Sequence, residues 1–323
     1  MVSNATVTAN SAEDGMRLDL FIMAHFPGAS RSQVRDALLR GDVLLGGRKA
    51  GKGAKIRAGD IVTVAALPEA PDNHVRPDPS VAPRIVYADA DLVAADKPAG
   101  MPVQPLSADE GGTLAGGMVA LYPALADVGD EPLIAGAVHR IDAGTSGLVI
   151  FALTAQSFSG MRRQFANREV AKKYLALVEG HVARGGAIAC ELAHTPRLGF
   201  CRMAEYAALP APDRARARPL FAETRFRPLR QIGGRALLEV SIETGVTHQI
   251  RAQLALSGHP IVGDRTYGGG DASGLAPENC FCLHSLSARF RHPVSGEWMD
   301  IATRPPAWAR QIQPHAQGQR NGN

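Results

Sequence analysis

The chain has 323 residues, 45% of them hydrophobic, with 35 Lys and Arg against 31 Asp and Glu. That length suits one large core-bearing domain with a small one appended. Four cysteines (Cys190, Cys201, Cys280, Cys282) do not form the dense framework of disulfide-stapled secreted domains. No run of about 18 apolar residues and no basic-then-apolar leader argues for membrane insertion or export. The expectation is a soluble cytoplasmic protein.

After a polar leader, Leu18, Phe21 and Ile22 recur at helical spacing. Ser30-Arg-Ser-Gln33 has the form of a capping box, so a second helix is predicted from there. Val34, Ala37 and Leu38 form its apolar stripe, and Gly41 is placed to end it. Short strands are predicted at Val43–Leu45 and Ile61–Val64. Residues 16–64 hold nine Lys or Arg and four Asp, a charge of +5, which leaves the remainder of the +4 chain near −1. A cationic module beside a near-neutral body suits docking to a polyanion, although a solvated charged face would look the same. Residues 65–84 hold five prolines and read as a tether. Strands are then predicted at Leu92–Ala95, Gly147–Leu153 and Leu237–Ile242, and helices at Ser157–Asn167 and Gln249–Ser257. This alternation implies an α+β domain over 85–310 with a large mixed sheet, followed by a polar, disordered tail over 311–323.

Candidate chemistry concentrates in three segments. In Ala137–Ala152 a polar cluster of His139, Arg140, Asp142, Thr145 and Ser146 directly precedes an apolar strand, the position of a site at a sheet edge, or of a well-bonded turn. The run lacks the G-x-S-x-G spacing of a nucleophile elbow, and no Gly-Lys-Ser/Thr follows to make a phosphate loop. Glu243–Arg251 places Thr244, Thr247, His248, Gln249 and Arg251 at a strand-to-helix junction. Lys172-Lys-Tyr174 sets an aromatic beside basic residues on a strand. Cys280 and Cys282 are closer than zinc spacing requires and have no second pair. No metal and no organic cofactor is expected.

Taken in order, Asp96-Lys-Pro-Ala-Gly100, the HRID-x-x-TSG run from His139 to Gly147, Lys173-Tyr174-Leu-Ala176, Thr247-His-Gln-Ile-Arg251, Gly258-His-Pro-Ile-Val-Gly-Asp264 and Leu283-His284 with His292-Pro293 closely resemble the RluA-type RNA pseudouridine synthases. The resemblance covers nearly all of residues 85–306. Met16 to about Val64 resembles the small α/β RNA-binding domain named after ribosomal protein S-four, with Arg31, Gly41-Asp42-Val43 and Gly59-Asp60 at its landmarks.

The family resemblance implies a mixed, mainly antiparallel sheet with flanking helices, and isomerisation of uridine to pseudouridine in structured RNA. Large-subunit ribosomal RNA is the leading substrate and transfer RNA the runner-up; a non-catalytic RNA-binding assembly protein is the alternative. It implies Asp142 as the catalytic carboxylate, acting as base or nucleophile, Arg251 as the cation that keeps it ionised, and Tyr174 as the aromatic against the base. Arg140, His139, Thr145, Thr247, His248 and Gln249 are the expected substrate contacts. Arg31, Arg35, Arg40, Lys49 and Lys52 are the expected RNA contacts of the N-terminal module. His139, His248 and His284 are expected to serve hydrogen bonding or RNA contact, not a metal. Partners beyond RNA, protein or membrane, are not implied. Two positions depart from the pattern: Val246 stands where the family usually has Arg, removing part of an expected phosphate contact, and Gln104 stands where His is common.

Overall fold

The computed structural model describes residues 2–26, 29, 31–67, 74–195 and 202–312. The chain divides into two compact units, Met1–Asn73 and His74–Asn323. In the first, strand β1 (Val2–Thr8) is followed by helices α1 (Leu18–His25) and α2 (Arg31–Arg40) and strands β2 (Val43–Leu45), β3 (Arg48–Lys49) and β4 (Ile61–Leu67). The sheet is antiparallel in the order β1-β4-β2-β3. Leu18, Phe21, Ile22, Val34, Ala37 and Leu38 form its buried helical stripe against Val43, Val62 and Val64.

Two boundaries differ from the sequence expectation. The leader is not outside the module: Val2–Thr8 pairs with β4 along its length. Its alternating Val and Thr satisfy the β pattern, but only the edge of β4 makes that pairing worthwhile. The N-terminal half of the capping box, Ser30, lies outside the described residues.

The second unit carries strands β5 (Arg84–Ala88) and β6 (Leu92–Lys97), helix α3 (Leu114–Leu121), β7 (Ser146–Ala152), α4 (Ala155–Ala166), β8 (Ala171–Glu179), β9 (Gly186–His194), β10 (Met203–Glu205) and the short α5 (Ala211–Arg214). Then come β11 (Leu220–Ile232), β12 (Arg235–Ile242), α6 (Gln249–Leu256), β13 (Leu283–Arg291), β14 (Trp298–Ala302) and α7 (Ala307–Ile312). Ten strands form one sheet in the order β10-β9-β11-β12-β8-β13-β7-β6-β5, with β14 on β13. Every described pairing is antiparallel except β13 with β7. The expected mixed, mainly antiparallel α+β architecture is the one observed.

Residues 65–84 are not a tether throughout. Residues 65–67 complete β4, residues 68–73 lie outside the described set, and the stretch from His74 packs on the second unit. Val75 and Val81 are buried there. The Asp78 carboxylate accepts from the Gly112 amide at 2.8 Å, and the Asp78 amide donates to the Gly116 carbonyl at 2.9 Å. Proline content signalled irregular backbone, and irregular backbone can still be ordered when its amides find partners. Gln311 and Ile312, expected in the tail, close α7; residues 313–323 lie outside the described set.

The central strands explain where a site can form. Strands β6 and β7 are buried on both faces: Val93, Ala95, Val149 and Phe151 pack toward α3, while Leu92, Ala94, Leu148 and Ile150 pack toward α4. On β8, Tyr174, Ala176 and Val178 face α6, whereas Leu175 and Leu177 face α7. Strand β13 pairs with β7 only at His284 and Ser285, then turns to β14 from Ser287. Gly147 permits that approach: its φ is +107°, and a Cβ there would collide with the Ser285 carbonyl. The loop entering β7, residues 139–145, is thereby delivered to the point where β7, β8 and β13 meet.

Candidate active site

Asp142 lies in that loop, and the loop is held from behind. Lys97, at the end of β6, is fully buried, and its ammonium donates to the carbonyls of Pro98 (2.9 Å), Met101 (2.6 Å) and Ala143 (3.0 Å). Burial pulls its pKa down to about 8, against the nearby Cys280 and Asp142. Three carbonyl acceptors favour the charged form, so we read Lys97 as an ammonium that clamps the loop. The Thr145 amide donates to the Asp142 carbonyl at 3.0 Å and closes the turn.

Arg251, one turn into α6, meets Asp142 from the other side. Its Nη1 donates to Asp142 Oδ2 at 2.9 Å, while Nε and Nη2 donate to the two oxygens of Asp264 at 2.6 and 2.9 Å. One guanidinium thus bridges two carboxylates, one buried and one at the surface of a cleft: the side chain of Asp264 is 1% exposed and that of Asp142 29%. The guanidinium carbon stands 4.3 Å from the centre of the Phe281 ring and 5.2 Å from that of Tyr267. Burial pulls the Arg251 pKa down, but the two carboxylates outweigh it and the net shift is upward. The guanidinium therefore stays charged, fixed in a rigid fork.

The start of α6 is built to aim Arg251 inward. His248, at the helix N-cap, has φ +53°, a left-handed conformation that costs a non-glycine residue about 1–3 kcal/mol. Gln249 compensates: its Oε1 accepts from Thr244 Oγ1 (2.8 Å) and the Val246 amide (3.2 Å), and its Nε2 donates to the Glu223 carbonyl (2.9 Å) and Thr224 Oγ1 (3.2 Å). Gln249 is buried with both ends of its amide engaged. That differs from the expected substrate contact, because the side chain holds the junction together. His248 Nε2 lies 4.0 Å from Asp142 Oδ2, and its Nδ1 lies 3.1 Å from the Tyr267 hydroxyl. Burial lowers the His248 pKa, Asp142 opposes this and Arg251 adds to it, so the ring is held toward neutrality.

Tyr174 is buried beside the carboxylate. Burial pushes its pKa up to about 12, a hydrogen bond with the Ser285 side chain works against the shift, and Asp142 adds to it. A small recess of about 70 Å³ brings Asp142, Thr145, Tyr174, His248 and Arg251 to one surface. It adjoins a cleft of about 410 Å³ lined by Val103, Gln104, Arg140, Asp142, Val246 and Thr247 among others. Arg140 is exposed on its rim, two residues from Asp142. A carboxylate braced by a guanidinium, with a tyrosine in the same recess, can act as a base or a nucleophile on a bound ring.

His139 is placed differently from the expectation. Its Nε2 accepts from the Ile150 amide at 3.1 Å and its ring stacks on Phe165 at 5.1 Å, with the pKa lowered to about 3 by burial first and by Lys172 second. It buttresses β7 and borders a separate groove. Of the expected basic contacts, Arg35 pairs with Asp36 (3.2 Å), Arg40 with Asp42 (2.7 Å), Lys49 donates to the Arg40 carbonyl (3.1 Å), and Lys52 is exposed. All lie on the N-terminal unit; the Arg31 side chain is outside the described set. Asp264, Lys97 and Tyr267 were not singled out from sequence. Asp264 and Lys97 sit in quoted motifs, yet only the fold shows them converging on Arg251 and on the Asp142 loop.

Among the described residues, one group of potential metal ligands gathers, Asp89, Asp91 and His292. His292 Nδ1 accepts from the Val294 and Ser295 amides, which leaves Nε2 as the N–H that donates to Asp89 at 3.1 Å. Asp89 Oδ1 in turn accepts from the Asp91 and Leu92 amides, so the group is a turn lock.

Residues 91–256 match the family model described as RNA pseudouridylate synthase. The chain is 33% identical over 293 residues to ribosomal large subunit pseudouridine synthase D of Xanthomonas campestris, covering 88% of this chain and 83% of the relative. It is 38% identical over 291 residues to an uncharacterized RNA pseudouridine synthase of Chloroflexus aurantiacus, covering 90% and 87%. To synthase D of Escherichia coli K12 it is 30% identical over 308 residues, covering 91% and 89%. The fold is shared with human RNA pseudouridylate synthase domain containing 1, at a TM-score of 0.57 and 24% identity over 76% of this chain and 94% of that one. The chain belongs to the RNA pseudouridine synthase family.

Proposed function

We propose that the chain converts selected uridines of large-subunit ribosomal RNA to pseudouridine, with Asp142 as the reacting carboxylate. The observation that carries this reading is the bridge Asp264–Arg251–Asp142. It fixes the Asp142 carboxylate, partly open to a cleft, in one recess with Tyr174. The isomerisation breaks the bond between sugar and base, turns the base and rejoins it through carbon. Asp142 either attacks covalently or removes a sugar proton; Tyr174 stacks on the base and takes part in the later proton transfer, in which the ring carbon that rejoins the sugar gives up its proton and the freed ring nitrogen takes one up. Arg140, on the rim, is assigned to hold the RNA open around the extruded nucleotide, whose unstacking costs a few kcal/mol.

Ribosomal RNA is preferred to transfer RNA because relatives aligned over most of their length are named for the large ribosomal subunit. The N-terminal unit, with exposed Arg35, Arg40, Lys49 and Lys52, is assigned as an S-four-type RNA anchor in a cytoplasmic protein; among the described residues no helix is long and apolar enough to cross a membrane. Mapping pseudouridines in total RNA from cells with and without the gene tests the substrate. Loss of a site in large-subunit RNA is expected; loss confined to transfer RNA would refute the assignment. Asp142→Asn is expected to abolish turnover on the mapped RNA while affinity stays within about tenfold.

A further inference from the structure

Beyond Arg140 a second groove opens, about 810 Å³ in volume, bordered by Gln104, Ile134, His139, Arg163 and Phe165 among others. It shares Gln104, Arg140 and Gly245 with the 410 Å³ cleft at Asp142, so the two are continuous along the surface. The smaller volume is of the size that holds one small molecule. A uridine inside a polymer is tied by a phosphodiester on each side, so a neighbouring nucleotide has to lie against the protein next to that cleft.

The groove is bordered by the cations Arg140, Arg162, Arg163 and Lys172 and the carboxylates Asp130, Glu131 and Glu243, and its cations divide into engaged and free. Arg162 faces Asp130 at 3.9 Å, and the buried Lys172 donates to the Thr244 carbonyl at 2.9 Å with Glu243 nearby. Arg140 and Arg163 are exposed, and their side chains form no hydrogen bond or ion pair among the described residues. Across the smaller cleft the rim is Gly245-Val246-Thr247, which carries no charge. The cations open to a phosphate here are therefore Arg140, beside Asp142, and Arg163, in the last turn of α4. The groove wall is also rigid. His139 stacks on Phe165, Lys172 lies 5.5 Å from the same ring, and Gln104 Nε2 donates to the Ile134 carbonyl at 3.1 Å, which leaves its Oε1 to the shared wall.

We infer that this groove is a subsite for the nucleotide adjacent to the target, with Arg163 as its phosphate contact. The inference rests on the RNA-modifying reading of the neighbouring cleft. Arg163 is a positioning residue: it fixes the backbone so that the target sits over Asp142, and it touches no reacting atom.

The test compares full-length wild-type protein with Arg163→Met, Arg163→Lys and Arg184→Met. Arg184 is an exposed arginine away from the groove and controls for the loss of one positive charge. The probe is a large-subunit ribosomal RNA transcript, with affinity measured over a salt series and single-turnover rate at saturating enzyme. Arg163→Met is expected to weaken binding about five- to tenfold and to flatten the log–log salt slope by roughly 0.7–0.9, the value of one phosphate contact. Arg163→Lys should restore affinity and slope, and Arg184→Met should leave both unchanged. Equal effects of Arg163→Met and Arg184→Met, or a normal slope in Arg163→Met, overturn the subsite. The two readings separate cleanly. Arg163-dependent binding without wild-type turnover refutes the substrate assignment and keeps the groove, whereas turnover with Arg163-independent binding does the reverse.

Discussion

Arg251 serves two carboxylates, and this division of labour gives separable outcomes for its neighbours. Replacing it by Met removes the guanidinium that donates to Asp142 but leaves the exposed cations of the clefts in place. Turnover is expected to fall at least about a hundredfold while RNA affinity changes only a few-fold, as single-turnover and binding assays would show. Normal turnover with weakened binding would instead make Arg251 a phosphate contact. Asp264 is different because it is almost wholly buried and meets the guanidinium through both oxygens. Asp264→Ala leaves a buried cation with one partner in place of two, and should cost on the order of 3 kcal/mol of stability, read from a urea midpoint. Turnover should fall as well, because Arg251 is then free to leave Asp142. A stable variant with unchanged activity would show that Asp142 alone orients Arg251.

At the scale of elements, β13 is the strand on which the site depends, since it pairs with β7 and β8 and then with β14. His284 fastens this junction: Ser146 Oγ lies 2.8 Å from its Nδ1, and its Nε2 lies 2.9 Å from Thr303 Oγ1. Thr303 donates its own proton to the carbonyls of Ser285 and Leu286, so it accepts from His284 Nε2, and Ser146 donates to Nδ1. The ring is neutral in this arrangement, and burial lowers its pKa from 6.5 to about 4. A folded pKa below the unfolded one means that the unfolded chain binds more protons between the two values, so stability is lost as pH falls through that window. His284 should contribute a slope of up to about 1.4 kcal/mol per pH unit between about pH 6.5 and pH 4. Denaturant midpoints over that range should fall for the wild type and fall less steeply for His284→Gln. Parallel curves for the two proteins would refute the assignment. The motif Leu283-His284 marked this residue in sequence, but its partners Ser146 and Thr303 lie 138 and 19 positions away, and their convergence is a property of the sheet.

For the whole molecule the uneven charge is the guide. Residues 16–64 carry +5, and the first compact unit closes at Asn73. Removing residues 1–73 takes β1 away together with its partner β4, so among the described residues the cut leaves no strand of the body without its partner. The remaining 74–323 is expected to fold and to turn over saturating RNA at near the full-length rate, with weaker affinity and a shallower salt dependence. Affinity and slope measured on one RNA for both forms decide this. If they are unchanged, the first unit is not an RNA anchor; if saturating turnover collapses in a folded body, the unit contributes to the site itself.

The sequence by itself determined what depends on local pattern and on the identity of chemistry-bearing residues. The apolar stripes of α1 and α2, the strands β6, β7 and β12, the helices α4 and α6, and the gathering of Asp142, Tyr174 and Arg251 in one recess were all legible. Periodicity encodes burial, and ordered motifs mark which chemistry-bearing residues belong together. Tertiary structure decided whatever needs a partner distant in the chain. A polar leader became a strand because β4 offered an edge, and residues 74–84 of a proline-rich stretch pack on the body, where Gly112 and Gly116 meet Asp78. Gln249 and His139, expected as substrate contacts, brace the fold because Thr224 and Ile150 stand within hydrogen-bond reach. Asp264 acquired its importance only where α6 brings Arg251 against it. Hydrogen bonds act over about 3 Å, whereas the residues that make them here are tens to more than a hundred positions apart, so their pairing is set by packing and not by local sequence.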